Sequence, residues 1–181
     1  MVVSSVINAL NEILEEEGGM AVNSRVVNYL LNRLKEFGDY GASQIIDLLL
    51  KYEPRDEKEV LSIMNVLDSK LKSNNSHLTL TVIKVFLKIT KSQPVLYDSV
   101  LERVKDTLIT MLISAQDELR FNILAHIHSL IRLGANKQFE KEYKRFFCEA
   151  DDKSFVQEIR LKILEAIVTP DSFDDIFNEL W

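Results

Sequence analysis

Apolar residues along this chain recur at the spacing of one helix face, most fully in the stretch Thr79 to Thr90, T-L-T-V-I-K-V-F-L-K-I-T. Val82, Val85, Phe86 and Ile89 stand at i, i+3, i+4 and i+7, which places four large side chains on one side of an α-helix. The same spacing continues in both directions, interrupted by glycine, proline and short polar clusters. No segment shows the strict alternation of a half-buried strand.

Ten helices follow from the pattern. The first runs from Val3 to Glu17 with Val3, Ile7, Leu10 and Leu14 inward, and Gly18-Gly19 ends it. The second spans Ser24 to Phe37, capped by Asn23 or Ser24 and stopped at Gly38, with Val27, Leu30, Leu31 and Leu34 on its buried side. The third, Tyr40 to Tyr52, turns Ile45, Leu48, Leu49 and Tyr52 inward and ends before Pro54, which cannot donate the next helical hydrogen bond. Asp56 with Glu59 has the spacing of a capping box and opens a fourth helix carrying Val60, Ile63, Met64, Leu67 and Leu71. The S-N-N-S turn from Ser73 to Ser76 leads into the fifth, which reaches Ser92 and breaks at Pro94.

A sixth helix then buries Leu101, Val104, Leu108 and Met111. Ser114 and Asp117 mark the start of a seventh, with Ile123, Ile127 and Leu130 inward, ending at Gly134. Asn136 caps an eighth with an aromatic inner side of Phe139, Tyr143, Phe146 and Phe147. After the Asp151-Asp152 turn comes a ninth with Val156, Ile159, Ile163 and Ile167. Thr169-Pro170 forms an N-cap and first-position pair for a tenth, holding Phe173, Ile176, Phe177 and Leu180.

These helices repeat. Odd-numbered starts at Asp39, Ser76, Asp117 and Lys153 lie 37, 41 and 36 residues apart. Six residues past each start come Ile45, Val82, Ile123 and Ile159, and ten past come Leu49, Phe86, Ile127 and Ile163. A period near 40 with two helices per unit is that of HEAT or armadillo arrays, whose pairs bury their apolar faces only by stacking on neighbours. The expected fold is therefore an all-α superhelix of about ten helices in five antiparallel pairs, with residues 1–181 as a single helical-repeat segment. Both ends carry apolar faces, so the expectation is a slice of a longer array that self-associates in isolation.

Composition narrows the function. A 46% hydrophobic and 28% charged chain is that of an ordinary globular protein. The formal net charge of −6 argues against a general nucleic-acid binder, since phosphate-backbone affinity rests on Lys and Arg. Cys148 is the only cysteine, so no internal disulfide forms and a cytosolic setting fits. The N-terminal segment lacks a basic region and reads as an amphipathic helix, and no apolar run reaches the roughly 18 residues of a membrane span.

No residue cluster specifies catalysis, a metal or a cofactor. His126 and His128, two apart, point to different helix faces and lack further ligands at tetrahedral spacing. His77 begins a helix and is solvated. Cys148, beside Phe146 and Phe147, has no activating base in view and reads as packing. Glu15-Glu16-Glu17 is a solvated helix end, and Asp171, Asp174 and Asp175 favour the dipole of the tenth helix. No nucleotide-binding loop, nucleophile elbow or zincin motif occurs. Lys137, Lys141, Lys144 and Arg145 cluster on the eighth helix as a solvated face, with an acidic partner or anionic lipid as the alternative.

Four segments carry a family resemblance: E-I-L-E-E-E-G-G-M from Glu12 to Met20, Y-L-L-N-R-L from Tyr29 to Leu34, T-V-I-K-V-F-L from Thr81 to Leu87, and Y-K-R-F-F-C from Tyr143 to Cys148. The chain resembles the β subunits, or β-adaptins, of the heterotetrameric vesicle adaptor complexes. Gly18-Gly19 and Phe146-Phe147-Cys148 most resemble the fourth, trans-Golgi, non-clathrin type. The resemblance implies a non-enzymatic trunk segment that pairs with a second large subunit, cradles medium and small chains, and docks the complex on Arf-type GTPase membranes.

It implies a cytoplasmic protein, peripheral on trans-Golgi or coated-vesicle membranes and acting in vesicle-mediated protein transport. It carries over no GTPase-contact residues, because in the family these lie nearer the trunk's N-terminus. Leu49-Leu50-Lys51-Tyr52-Glu53 matches a clathrin-box pattern, but Leu49 and Tyr52 stand at core positions. The second helices of each pair, including Glu102 to Met111 and Lys137 to Phe147, are the expected subunit-facing elements. The alternatives are a generic HEAT-repeat scaffold of the nuclear-transport or phosphatase type, and an RNA-binding solenoid.

Overall fold

A computed structural model of the protein describes residues 2–13 and 22–181, and the regular elements among them are all helical. In order they are α1 (Val2–Ile13), α2 (Ser24–Asn32), α3 (Asp39–Leu48), α4 (Glu57–Leu71), α5 (Ser76–Thr90), α6 (Pro94–Ser114), α7 (Asp117–Leu130), α8 (Asn136–Phe139), α9 (Ser154–Ile167) and α10 (Phe173–Leu180). Eight of them have nine or more residues, while α8 is a single turn and α10 only two, so the last pairs are slighter than expected. Leu14, Glu15-Glu16-Glu17 and Gly18-Gly19 lie outside the described residues, as do the side chains of Val3 and Ile7. Leu10 is 38% exposed rather than inward, on a helix that meets α3 alone among its larger contacts.

The chain divides into two compact units, Met1–Tyr97 and Asp98–Trp181. In the first, α1 packs on α3, α2 on α4 and α3 on α5, so each helix meets the one two places further on. That is the stacking of an all-α helix-pair array. α5 also packs on α4, and with neighbours on two sides ten of its fifteen residues are buried. The apolar spacing predicts one inward face, and the structure adds Leu78, Leu80 and Ile83. Full burial of Val82, Val85 and Phe86, each at 0–1% exposure, contributes about 1.5–3 kcal/mol apiece.

Three threonines of α5 are also buried, and their hydroxyls are satisfied within the helix. Thr81 Oγ1 donates to the His77 carbonyl at 3.0 Å and Thr90 Oγ1 to the Phe86 carbonyl at 2.7 Å. Thr79 Oγ1 reaches the Asn75 and Ser73 carbonyls, both at 3.3 Å. Such bonding one turn back removes the cost of burying an unpartnered hydroxyl.

Helix ends differ from the expected limits in instructive ways. α2 and α3 do not continue as α-helices to Phe37 and Tyr52; each tightens into a 3₁₀ turn, Leu34–Glu36 and Leu49–Lys51. Tightening satisfies last-turn carbonyls through shorter loops and keeps Leu34 and Leu49 in the core at 2% and 3% exposure. Gly38 is extended, at φ −65° and ψ 167°, and is the residue preceding α3 rather than a left-handed stop. Asn23, Asp56 and Asn75 cap α2, α4 and α5 through their side-chain oxygens. Pro94 takes the first position of α6, where no N–H is required.

In the second unit α7 packs against α9, and α8 with the 3₁₀ segment Glu140–Phe146 also lies on α9. The predicted inward residues of α6, α7 and α9 are buried except Met111, which is half-buried while its neighbour Leu112 takes the core position; in the first unit Met64 is half-buried too. Ser114 does not cap α7; its hydroxyl folds back on the Met111 carbonyl at 3.4 Å. Asn136 is helical and its side chain makes no capping bond. The eighth helix is mostly 3₁₀, whose different rotation leaves Phe139 and Phe146 fully buried and Tyr143 and Phe147 half-buried.

α10 departs furthest. It begins at Phe173, not at Pro170, because Thr169 and Ser172 bond to each other in a turn: Thr169 N–H donates to Ser172 Oγ at 3.0 Å and Ser172 N–H to Thr169 Oγ1 at 3.3 Å. Only Ile176 of its apolar face is buried, at 7% exposure, while Phe173, Phe177 and Leu180 are 51–55% exposed. Phe173, Phe177 and Trp181 stack in a row with centroids 6.0 and 5.9 Å apart.

Gly134 is the one described residue in the left-handed region, with φ +103°, and it separates the wide last turn of α7 from α8. An added Cβ would touch nothing within 4 Å, so the cost of Gly134→Ala is backbone strain alone. Urea denaturation of this variant should show a loss of about 1–2 kcal/mol, with the helical circular dichroism retained.

Candidate interaction surface

Polar side chains gather where helix ends meet. In the first unit the centre is Glu59 on α4. Asp56 Oδ1 accepts the Glu59 N–H at 2.8 Å, the first half of the predicted capping box. The second half is redirected: Glu59 Oε2 accepts from the Arg55 N–H at 2.8 Å, and Oε1 accepts from Ser24 Oγ at 2.7 Å and Tyr52 Oη at 2.6 Å. One carboxylate thus ties the start of α2, the end of α3 and the start of α4. Burial works to raise its pKa, but the bonds from the Arg55 N–H, Tyr52 and Ser24 outweigh it and hold the carboxyl below the usual glutamate range. Burial, then the bond to Glu59, pushes the Tyr52 phenol up.

A carboxyl with a lowered folded-state pKa stabilises the fold above the ordinary glutamate range, and that contribution disappears as pH falls through the lowered value. Glu59→Gln should therefore cost about 1–3 kcal/mol at pH 7. Urea denaturation across a pH series should show wild type and variant converging below about pH 4.

A cleft of about 590 Å³ opens beside this knot, between the α3–α4 loop and the α5–α6 turn. Lys88 rises through its base, its ammonium donating to the Leu50 carbonyl and, at 3.4 Å, to that of Tyr52. These are carbonyls at the end of the third helix, where a cation is favourable. Arg55 and Lys91 stand exposed on opposite walls and form no ion pair among the described residues. Glu53 and Asp56 supply negative charge at the rim, and the Gln93 amide oxygen is buried without a hydrogen-bond partner.

The second unit has its own knot. Arg160 on α9 is 1% exposed. Its Nη1 donates to the Arg145 carbonyl at 2.9 Å and its Nη2 to Glu149 Oε1 at 2.7 Å, while Nε lies 2.8 Å from Asp152 Oδ2. That last contact is a charge pairing without an aligned hydrogen bond. Asp152 Oδ1 accepts from Arg120 Nη1 at 2.8 Å, and Oδ2 accepts the Glu149 N–H at 2.8 Å. The two guanidiniums join α7, α9 and the loop between them. Asp152→Ala takes one of two carboxylates from Arg160, the nearest one from Arg120 and the acceptor from the Glu149 N–H, and should cost about 3–5 kcal/mol in chemical denaturation.

Glu149, Asp151 and Asp152 bring carboxylate oxygens within 4.8 Å of one another, the spacing of a cation site. Arg120 reaches all three, at 3.6, 4.0 and 2.8 Å, so the charge a cation would neutralise is already met. His126 and His128 are half-buried on α7; burial, then Arg132 and Lys162, holds the His128 pKa below its ordinary value. Cys148 is half-buried and burial pushes its thiol pKa up, the reverse of an activated nucleophile. His77 is exposed at the start of α5, as expected of a solvated residue, and its carbonyl accepts from Thr81 Oγ1.

The basic residues of the eighth segment do not act together. Lys144 pairs with Asp175 at 3.1 Å, an oxygen that also accepts from Tyr143 Oη at 2.6 Å, while Lys137, Lys141 and Arg145 are exposed. Leu49 and Tyr52 are 3% and 5% exposed within and beside a 3₁₀ turn, so the clathrin-box-like segment is locked in the core rather than extended. On α6, Lys105 is 9% exposed beside Glu102 and Asp106. Its bond to Glu102 raises its pKa despite burial. No helix of the described residues is long and apolar enough to cross a membrane.

Sequence reasoning missed Arg160, because at one step from Ile159 it reads as an outward residue, and read Asp152 as an ordinary turn. It also missed the cleft. Arg55 is far in sequence from Lys91 and Gln93, and the three carry no motif.

Stacked helix pairs with polar knots at their ends make a helical-repeat protein, a class whose surfaces are suited to binding. The chain resembles the β subunits of adaptor complexes over essentially its whole length. It is 32% identical to the AP-4 complex subunit beta-1 of Mus musculus across 99% of this chain, and 34% identical to the AP-4 complex subunit beta of Dictyostelium discoideum across 97%. It is 32% identical to the Beta-adaptin-like protein A of Arabidopsis thaliana across 99%. It covers 24%, 21% and 22% of those three proteins. A family model described as non-SMC mitotic condensation complex subunit 1 matches residues 1–88.

Proposed function

We propose that this chain is a trunk segment of an adaptor-complex β subunit of the fourth, trans-Golgi type, and that its work is non-enzymatic scaffolding in a vesicle coat. The observation that carries the reading is similarity at 32–34% identity to two AP-4 β subunits and a β-adaptin-like protein, running along 97–99% of the chain. The helix-pair stacking agrees with it, since exposed helix faces and end loops are what a scaffold offers to other subunits. On this reading residues 1–181 are one stretch of trunk. The partners are the second large, medium and small chains, and the complex docks on Arf-type GTPase membranes of the trans-Golgi network for vesicle-mediated transport.

The match of residues 1–88 to the condensation-complex family favours a second reading, a helical-repeat scaffold of another assembly. Partners separate the two. Affinity capture of the full-length protein that contains this chain, followed by mass identification, should recover a second large, a medium and a small adaptor chain in comparable amounts. Recovery of chromosome-associated chains in their place, or of no adaptor chain in repeated captures, overturns the proposal.

A further inference from the structure

We propose that the outer face of α10 pairs with the same face of a second copy of this chain. Phe173, Phe177, Leu180 and Trp181 stand at i, i+4, i+7 and i+8 and so share one side of the helix. The first three are 51–55% exposed and Trp181 is 97% exposed, while Ile176 is buried. The rings of Phe173, Phe177 and Trp181 form one stack, with interplanar angles of 19° and 21°. Rolling the helix to bury these rings on its own unit would withdraw Ile176 and break the bonds that Asp175 accepts from Tyr143 Oη at 2.6 Å and Lys144 Nζ at 3.1 Å.

Three arguments select a second copy as the occupant. A polar outer face keeps a helical-repeat surface from associating, and α10 offers aromatic rings in its place. At these exposures the four side chains present roughly 550 Å² of apolar surface per copy. Two copies together remove about 1,100 Å², close to the floor of about 1,000 Å² for a specific interface. Charge then sets the orientation. Asp171 and Asp174 are exposed toward the N-terminal end of the row, so an antiparallel pairing about a two-fold axis places them beside the other copy's Trp181 end, keeps like charges apart and opposes the helix dipoles. A cationic segment of another protein would call for carboxylates along the whole row, and these two lie toward one end.

The inference concerns α10 alone, and its failure leaves the capture experiment on the whole complex untouched. Trp181 is the only tryptophan, so its emission reads the proposed contact directly. The full chain is followed by sedimentation equilibrium from about 5 to 500 µM, a range suited to the weak affinity of so small an interface, with front-face tryptophan emission from the same samples. A monomer–dimer equilibrium that stops at the dimer is expected, because a two-fold contact is closed. Trp181 emission should shift to the blue with the dimer fraction. Added salt should strengthen the dimer by screening repulsion between copies of net charge −6. Phe177→Asp should weaken association about tenfold or more, and Leu133→Ser, at a side chain 79% exposed elsewhere in the unit, should leave it unchanged. Each variant is first checked for wild-type helical signal and melting, and Phe177→Ser serves if the aspartate variant fails that check. A monomer at every concentration, which leaves the row to a different chain, overturns the proposal. So does association that survives the Phe177 substitution, is lost in Leu133→Ser, or grows past the dimer.

Discussion

Burial of α5 on nearly every side is the constraint that organises the first unit. A helix with a single apolar face can rest on one neighbour, but ten buried residues in fifteen require two. α3 and α4 provide them. The neighbours in turn have apolar faces that no isolated pair covers, which is why helices contact the second one along as well as the next. In the second unit the same role falls to α9, which receives α7, α8 and the 3₁₀ segment.

The polar knots solve a different problem. Where helices end together, orphan backbone groups and charged side chains converge away from bulk water. Glu59 meets three donors from three chain segments, and Arg160 meets three acceptors. Glu59 is half-buried with both oxygens accepting, and Arg160 is buried with both terminal nitrogens donating and its Nε in a charge contact, so neither charge is left uncompensated. Their partners sit 35 and 15 residues away at most, so each knot ties together segments that are distant along the chain.

Much of the fold was legible in the sequence because periodicity and punctuation agree. Val82, Val85, Phe86 and Ile89 are buried where the spacing put them, and Asn23, Asp56 and Gly134 act at the ends they mark. What was not legible has physical causes. The 3₁₀ run from Glu140 to Phe146 has no residue signature, since its sequence is equally suited to an α-helix. Phe173 and Phe177 carry helical spacing, yet spacing states which residues share a face and not whether anything covers it. Arg160 and Gln93 are significant only through partners, present or missing, that three-dimensional packing brings near.

The threonines of α5 have a consequence for how such an array can change over time. Because Thr81 and Thr90 discharge their hydroxyls on their own helix, they ask nothing polar of the surfaces laid against them. To its neighbours each presents little more than a methyl group. Adjacent helices are then free to exchange one aliphatic residue for another, or to slide slightly, without losing a bond. Specificity of stacking is left to the charged ends, and the middle of the helix tolerates drift.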